Sequence, residues 1–110
     1  MVRPGAADRL LRALSARLAD QHEVAVVAES ISSESWASIT FSGERHRLRL
    51  GVAGPHAEAA VEALIAGLPE FEPDMPGQLL VDIALAGRST AADGRMIVDL
   101  TAVTLERDSS

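Results

Sequence analysis

The stretch Trp36–Leu50, WASITFSGERHRLRL, decides the fold that the sequence predicts. It alternates apolar and polar residues on either side of Gly43 and Glu44, which predicts a β-hairpin with a two-residue type II′ loop that places Thr40 opposite Arg47. Because side chains alternate across a strand, the hairpin has two unlike faces. The apolar face carries Ala37, Ile39, Phe41, His46, Leu48 and Leu50. The polar face carries Trp36, Ser38, Thr40, Ser42, Arg45, Arg47 and Arg49.

Composition limits the class of protein. The chain has 110 residues, of which 47% are hydrophobic and 24% charged, and this is typical of one folded domain, expected to span residues 1–110. Ten basic residues, all arginine, face 16 acidic ones, for a net charge of −6, which disfavours general affinity for nucleic acid or an anionic membrane. The absence of cysteine excludes disulfides and thiolate chemistry. No signal-peptide or membrane-length apolar segment is evident, so we expect a soluble cytoplasmic protein.

Five further segments have helical or strand periodicity. They are helices over 6–20 and 54–67 and strands over 24–31, 78–86 and 95–107. Two amphipathic helices each need an apolar surface, and the sheet can supply it on one side. The sequence therefore predicts an α+β fold, a two-layer α/β sandwich of element order α-β-β-β-α-β-β. Its five-stranded, mainly antiparallel sheet has both helices on one face, with strand order 4-5-1-2-3 or 1-2-3-5-4. No internal repeat is evident.

The other face of such a sheet is open, and it carries the candidate binding residues. Arg45, Arg47 and Arg49 lie at alternate positions of one strand, and guanidinium groups bind carboxylate and phosphate in a bidentate manner. With Trp36 and Thr40 beside them, they form a candidate surface for a small anion or an acidic ligand.

Two other interpretations use the same arginines. The sequence favours a solvated cross-strand ladder in which Asp82 and Asp99 share the open face with them. Alternatively, the acidic and basic parts of this face, together with Trp36, meet a second copy of the chain in an isologous homodimer.

Candidates for catalysis are weak. His22, His46 and His56 lie in no recognised metal-binding spacing, and we expect His46 at the edge of the core, hydrogen-bonded to backbone. The sequence contains no GxSxG, Walker or GxGxxG pattern, so no catalytic residue, metal or cofactor is predicted. A small hydrolase or isomerase would require His46 close to Asp82.

Two resemblances can be drawn from these elements. The order α-β-β-β-α resembles that of a double-stranded-RNA-binding domain, but where that family has a lysine-rich start of its second helix this chain has Pro55-His56-Ala57-Glu58-Ala59. The stretch Trp36–Leu50, followed by a helix, LPEFEPDMPG and a hairpin, resembles a family of small uncharacterised bacterial proteins, and this resemblance implies no activity.

Together these features predict a non-catalytic cytoplasmic interaction module that self-associates through its open sheet face. The alternatives are a small-anion or acidic-ligand binder that uses the arginine row and, more weakly, a small hydrolase or isomerase. The expected partner is a second copy, with a small anion or another protein as further possibilities and with no role for nucleic acid or membrane.

Overall fold

The structure, a computed structural model, describes residues 5–21 and 23–107. Within these residues, two α-helices and four β-strands follow one another in the order α-β-β-α-β-β. The helices are α1, Ala6–Gln21, and α2, Ala57–Gly67, and a 3₁₀ turn, Leu68–Glu70, extends the second. The strands are β1, Ala25–Ala37; β2, Ser42–Ala53; β3, Gln78–Thr90; and β4, Met96–Glu106.

The prediction of five strands in the order α-β-β-β-α-β-β was wrong. The four strands of the described residues form one antiparallel α+β sheet of order β1-β2-β4-β3. Residues 32–35 fall between the strand predicted over 24–31 and the predicted hairpin, but β1 runs through this stretch. β1 is an edge strand that is exposed along most of its length, so serines there need no buried partner, and polarity does not indicate a break in the strand. Because only two strands separate the two helices, the chain does not have the α-β-β-β-α order of a double-stranded-RNA-binding domain.

The predicted hairpin register was also wrong. The chain reverses at Ser38–Phe41, where the Ser38 amide donates to the Phe41 carbonyl at 2.7 Å. Gly43 lies inside β2, paired with Trp36 on one side and Leu105 on the other. A Cβ at Gly43 would collide with the backbone carbonyl of Thr104 and the Trp36 ring. The glycine is therefore required by a close approach between neighbouring strands and not by a turn.

Both helices cover the same face of the sheet. Apolar residues of α1, α2 and the 68–77 segment pack on alternate residues of the two central strands. From the strands, the buried contributors are Leu48, Leu50, Val52, Val98, Leu100 and Ala102. This arrangement leaves the alternate residues, including the three arginines, on the opposite face.

The two halves of the chain are built alike, although the sequence shows no repeat. Each consists of a helix followed by a long hairpin, and β1 and β3 are both 13 residues long. The halves meet where β2 pairs with β4, and the partners Leu48 and Leu100 lie 52 positions apart in the chain. The outer strands follow the same relation, since Ile31 on β1 pairs with Leu48 and Leu85 on β3 pairs with Leu100. The sheet therefore has an approximate two-fold relation about the Leu48–Leu100 pair.

Candidate functional site

The candidate site is the sheet face opposite the helices, called the open face below. Strand register arranges its centre in three cross-strand rows, each with one arginine on β2. Written from β1 to β3, the rows are Ser30–Arg49–Asp99–Gly87, Ser32–Arg47–Thr101–Ala84 and Glu34–Arg45–Val103–Asp82. The three arginines predicted to share one face do so, but their neighbours differ from row to row.

The row of Arg49 contains an ion pair. Arg49 donates from Nε to Asp99 Oδ1 at 2.7 Å and from Nη2 to Asp99 Oδ2 at 3.2 Å. These hydrogen bonds from Arg49 to the Asp99 carboxylate, aided by its charge, raise the pKa of Arg49. This pair is the cross-strand contact that the ladder interpretation expects. The carboxylate of Asp99 largely compensates the positive charge of Arg49.

The other two arginines have no such partner. Within the described part of the chain, neither Arg45 nor Arg47 lies within ion-pairing distance of a carboxylate. Arg47 has hydroxyl-bearing neighbours on both sides, Ser32 and Thr101, and Arg45 lies between Glu34 and Val103. Asp82 shares the open face but is paired in register with Val103 and forms no ion pair in the same described residues. Among the three central rows of the described residues, only that of Arg49 therefore contains a cross-strand ion pair.

The centre of the open face is hollow. Two adjoining depressions of about 540 and 570 Å³ lie over β1, β2 and β4. Ser32, Arg47 and Thr101 line both of them, Arg45 and Glu34 line the first, and Arg49 and Asp99 line the second. The Arg47 row thus lies where the two hollows adjoin, and together they could hold a small molecule.

The remaining predicted binding residues lie away from this centre. The ring of half-buried Trp36 packs over Gly43 at the end of the open face near the β1–β2 turn. Thr40 lies within that turn and not opposite Arg47, because the true register places Ser32 there. The structure therefore groups Arg45, Arg47 and Arg49 and separates Thr40 from them.

Sequence reasoning missed Ser32 and Thr101 as members of the site. Ser32 falls between two predicted strands, and Thr101 falls within the strand predicted over 95–107 with no role assigned to it. Residues 32–35 are all polar, so the sequence carries no periodic signal that the strand continues through the serine-rich stretch. A second network was also missed, in which Arg95 bonds both Glu29 and Asp93 at the rim of the open face.

Apolar side chains flank the hollows on the open face. Val27 on β1, paired with Gly51, and Leu79 on β3, paired with Leu105, are 53% and 43% exposed. Ile97, Val103 and Leu105 on β4 are partly exposed beside them. The open face thus combines a polar centre with apolar residues at its margins.

His46 lies on the covered face and is 1% exposed. Its Nδ1 is 2.8 Å from Ser33 Oγ on β1, and its Nε2 is 2.8 Å from Thr104 Oγ1 on β4. Burial lowers the pKa of His46, although the nearby Glu44 opposes the shift. The expected hydrogen bonds to backbone are replaced by bonds to two hydroxyl groups.

The geometry does not support the hydrolase alternative, which needs His46 beside Asp82. The two residues lie on opposite faces of the sheet, and the imidazole is sealed in the core. Of the other histidines, His56 lies exposed in the turn before α2, and His22 lies outside the described residues.

No group of three or more His, Cys, Asp or Glu side chains in residues 5–21 and 23–107 is placed to hold a metal ion. No helix in the same ranges has the length and apolarity needed to cross a membrane.

Comparison with known proteins returns no relative. No protein-family model matches the chain, and neither a curated protein nor a solved structure matches it. The functional argument therefore rests on the geometry of the open face.

Proposed function

We propose that this protein is a non-catalytic interaction module that forms a homodimer through its open face. The observation that carries the proposal is the uncovered sheet, which has helices on one side only and presents apolar and charged residues on the other. Antiparallel sheets tolerate water on one face, but that face is commonly polar throughout. Here Val27 and Leu79 are exposed at its margins. A cytoplasmic location, expected from the sequence, is part of the same proposal.

The charges of the open face favour a second copy as the occupant. Arg45 and Arg47 supply positive charge, and Glu34 and Asp82 supply negative charge, and none of the four is ion-paired within the described residues. An isologous interface must be complementary to itself, so a surface with free groups of both signs suits it. A partner of one strong charge sign would satisfy only half of these groups.

The area is also sufficient. Four strands spaced about 4.8 Å apart and about 12 residues long give a face of roughly 700 Å² before side-chain relief is counted. A stable interface of standard size buries about 800 Å² on each partner. Face-to-face packing over the whole sheet, with side-chain relief added, would thus reach the size of a specific dimer.

Sedimentation velocity over a wide concentration range tests the proposal. We expect a concentration-dependent dimer that Val27→Glu and Leu79→Glu each weaken about tenfold or more, because each places a charge where an apolar side chain is buried on association. The matched control is Ala63→Glu, which adds the same charge on an exposed position of α2 and should leave the dimer unchanged. A wild-type chain that stays monomeric throughout, or a dimer that only Ala63→Glu disrupts, would overturn the proposal.

A further inference from the structure

We propose that the hollows around Arg47 form a binding site for the oxyanion group, carboxylate or phosphate, of a small acidic molecule. Every residue of the site belongs to one chain, so the site does not depend on self-association; a bound anion takes the place of the second copy at Arg47, and the two compete for it. The site also differs from one spread over all three arginines, because the structure assigns them different roles.

Arg49 and Arg47 differ in the residues that neighbour their guanidinium groups. Arg49 donates two hydrogen bonds to the Asp99 carboxylate, at 2.7 and 3.2 Å. The negative charge of that carboxylate compensates the positive charge of Arg49. Arg47 is flanked by Ser32 and Thr101, which carry no charge. Its guanidinium is therefore free to bind an anion with both edges of its fork.

Several hydrogen-bond donors meet at the same place. Ser32 and Thr101 line both hollows together with Arg47. One hydroxyl-bearing residue therefore flanks Arg47 on each side. Arg45 lies two residues along β2 on the same face, about 7 Å away, within reach of the same bound group. An oxyanion accepts several hydrogen bonds at once, and this arrangement offers them from three strands.

The local charge of the hollows also favours an anion. Three arginines line the hollows against the carboxylates of Glu34 and Asp99, which leaves one positive charge in excess. The whole chain carries a net charge of −6, so this excess is local and opposes the charge of the rest of the molecule. Such a patch attracts a small anion while the surrounding acidic surface disfavours long polyanions.

The hollows also offer enough space. The small side chains of Ser32 and Ala84 flank the central row at the two sheet edges, and the depressions of about 540 and 570 Å³ adjoin at Arg47. A volume of this size fits a small organic molecule, with its oxyanion at Arg47 and its body in one hollow.

Isothermal titration calorimetry with inorganic phosphate and with succinate, at matched ionic strength, tests the site. The protein is titrated as wild type and as Leu79→Glu, which lies on β3 outside both hollows, keeps every residue that lines them and is designed to remove the dimer. We expect saturable binding of at least one probe. Arg47→Gln should weaken that binding about tenfold or more, and Thr101→Val should weaken it to a lesser degree.

The matched control is Arg12→Gln, which removes the same charge from an exposed position of α1. Its affinity should equal that of the wild type. Binding of phosphate alone, of succinate alone or of both would each support the site and would identify the oxyanion it accepts. The site would be overturned if neither probe showed saturable binding. It would also be overturned if Arg12→Gln and Arg47→Gln lost the same amount of affinity. A monomeric chain that binds a probe would contradict the dimer and leave this site standing.

Discussion

The two halves of the molecule share one scaffold and differ in what they place on it. The half formed by α1, β1 and β2 puts the three arginines, two serines and Glu34 into the central rows of the open face. The half formed by α2, β3 and β4 puts Asp82, Ala84, Gly87, Asp99, Thr101 and Val103 there. The positions of Arg45, Arg47 and Arg49 correspond to Ile97, Asp99 and Thr101 when the chain is offset from Leu48 to Leu100.

This comparison shows that backbone symmetry and surface chemistry are independent in this protein. The two helices and the covered sides of both hairpins form one core, and the open face takes no part in it. The halves also differ on the covered face, where His46 of the first half corresponds to Val98 of the second, and both are fully buried. The polar features of the first half are therefore additions to the scaffold, and each can be tested by substitution.

The largest effect is expected at Gly43, because it lies where the strand backbones come closest. Gly43→Ala would bring a Cβ into collision with the Thr104 carbonyl, a backbone atom that cannot rotate away. We expect a loss of about 3 kcal/mol in the free energy of unfolding, the upper part of the usual range for overpacking. Urea denaturation followed by circular dichroism measures this loss.

Gly87 of the second half is the matched control. A Cβ there would lie 3.7 Å from Asp99 Oδ2, an ordinary contact. Gly87→Ala should thus be neutral, or stabilise the fold by up to about 1 kcal/mol through reduced freedom of the unfolded chain. Equal losses of unfolding free energy in the two variants would show that the close approach of β2 and β4 is not what requires glycine at position 43.

A smaller effect is expected from the histidine that only the first half carries. Burial lowers the pKa of His46 in the folded state, so the unfolded chain takes up this proton at a higher pH than the folded chain. Stability is unaffected by His46 above the unfolded value of about 6.5, and it falls as the pH drops from there towards the lower folded pKa. Urea denaturation at closely spaced pH values measures this fall.

The control is His46→Gln, whose amide can donate to and accept from the two hydroxyls but does not titrate in this range. The difference between the wild type and His46→Gln isolates this residue from the other titrating groups. We expect the difference to shrink as the pH falls below about 6.5. Profiles that stay parallel would contradict the assignment of a neutral, buried imidazole.

How far the sequence predicts this structure depends on whether burial enforces the pattern. The helix predicted over 6–20 is found at Ala6–Gln21, and the last strand, predicted over 95–107, at Met96–Glu106, because each packs an apolar stripe on the core. The serine-rich half of β1 was missed, because an exposed edge strand imposes no apolar periodicity. In β3 the alternation is broken by register shifts between Leu80 and Asp82 and between Leu85 and Gly87. Simple parity therefore assigns some of its residues to the wrong face.

The candidate site was predictable only in part. The alternation of Arg45, Arg47 and Arg49 places them on one face in any register, so their shared surface follows from sequence. Their partners depend on the register, and an error in the turn moved Thr40 into the place that Ser32 occupies. Likewise, the hydroxyl partners of His46 come from β1 and β4, which only the sheet topology brings to its two sides.

The proposed contact of two copies through the open face can be measured directly. Because the chain contains no cysteine, a single introduced cysteine can be labelled selectively. A single spin label is attached at Ala84→Cys on the open face or at Ala63→Cys on α2, and the distance between labels in the dimer is measured by double electron–electron resonance. Facing sheets pack about 10 Å apart, so the Ala84 labels should lie within roughly 20 Å of each other and the Ala63 labels more than about 30 Å apart. Ala63 labels closer together than Ala84 labels, or no dipolar coupling between Ala84 labels at any concentration, would contradict the account.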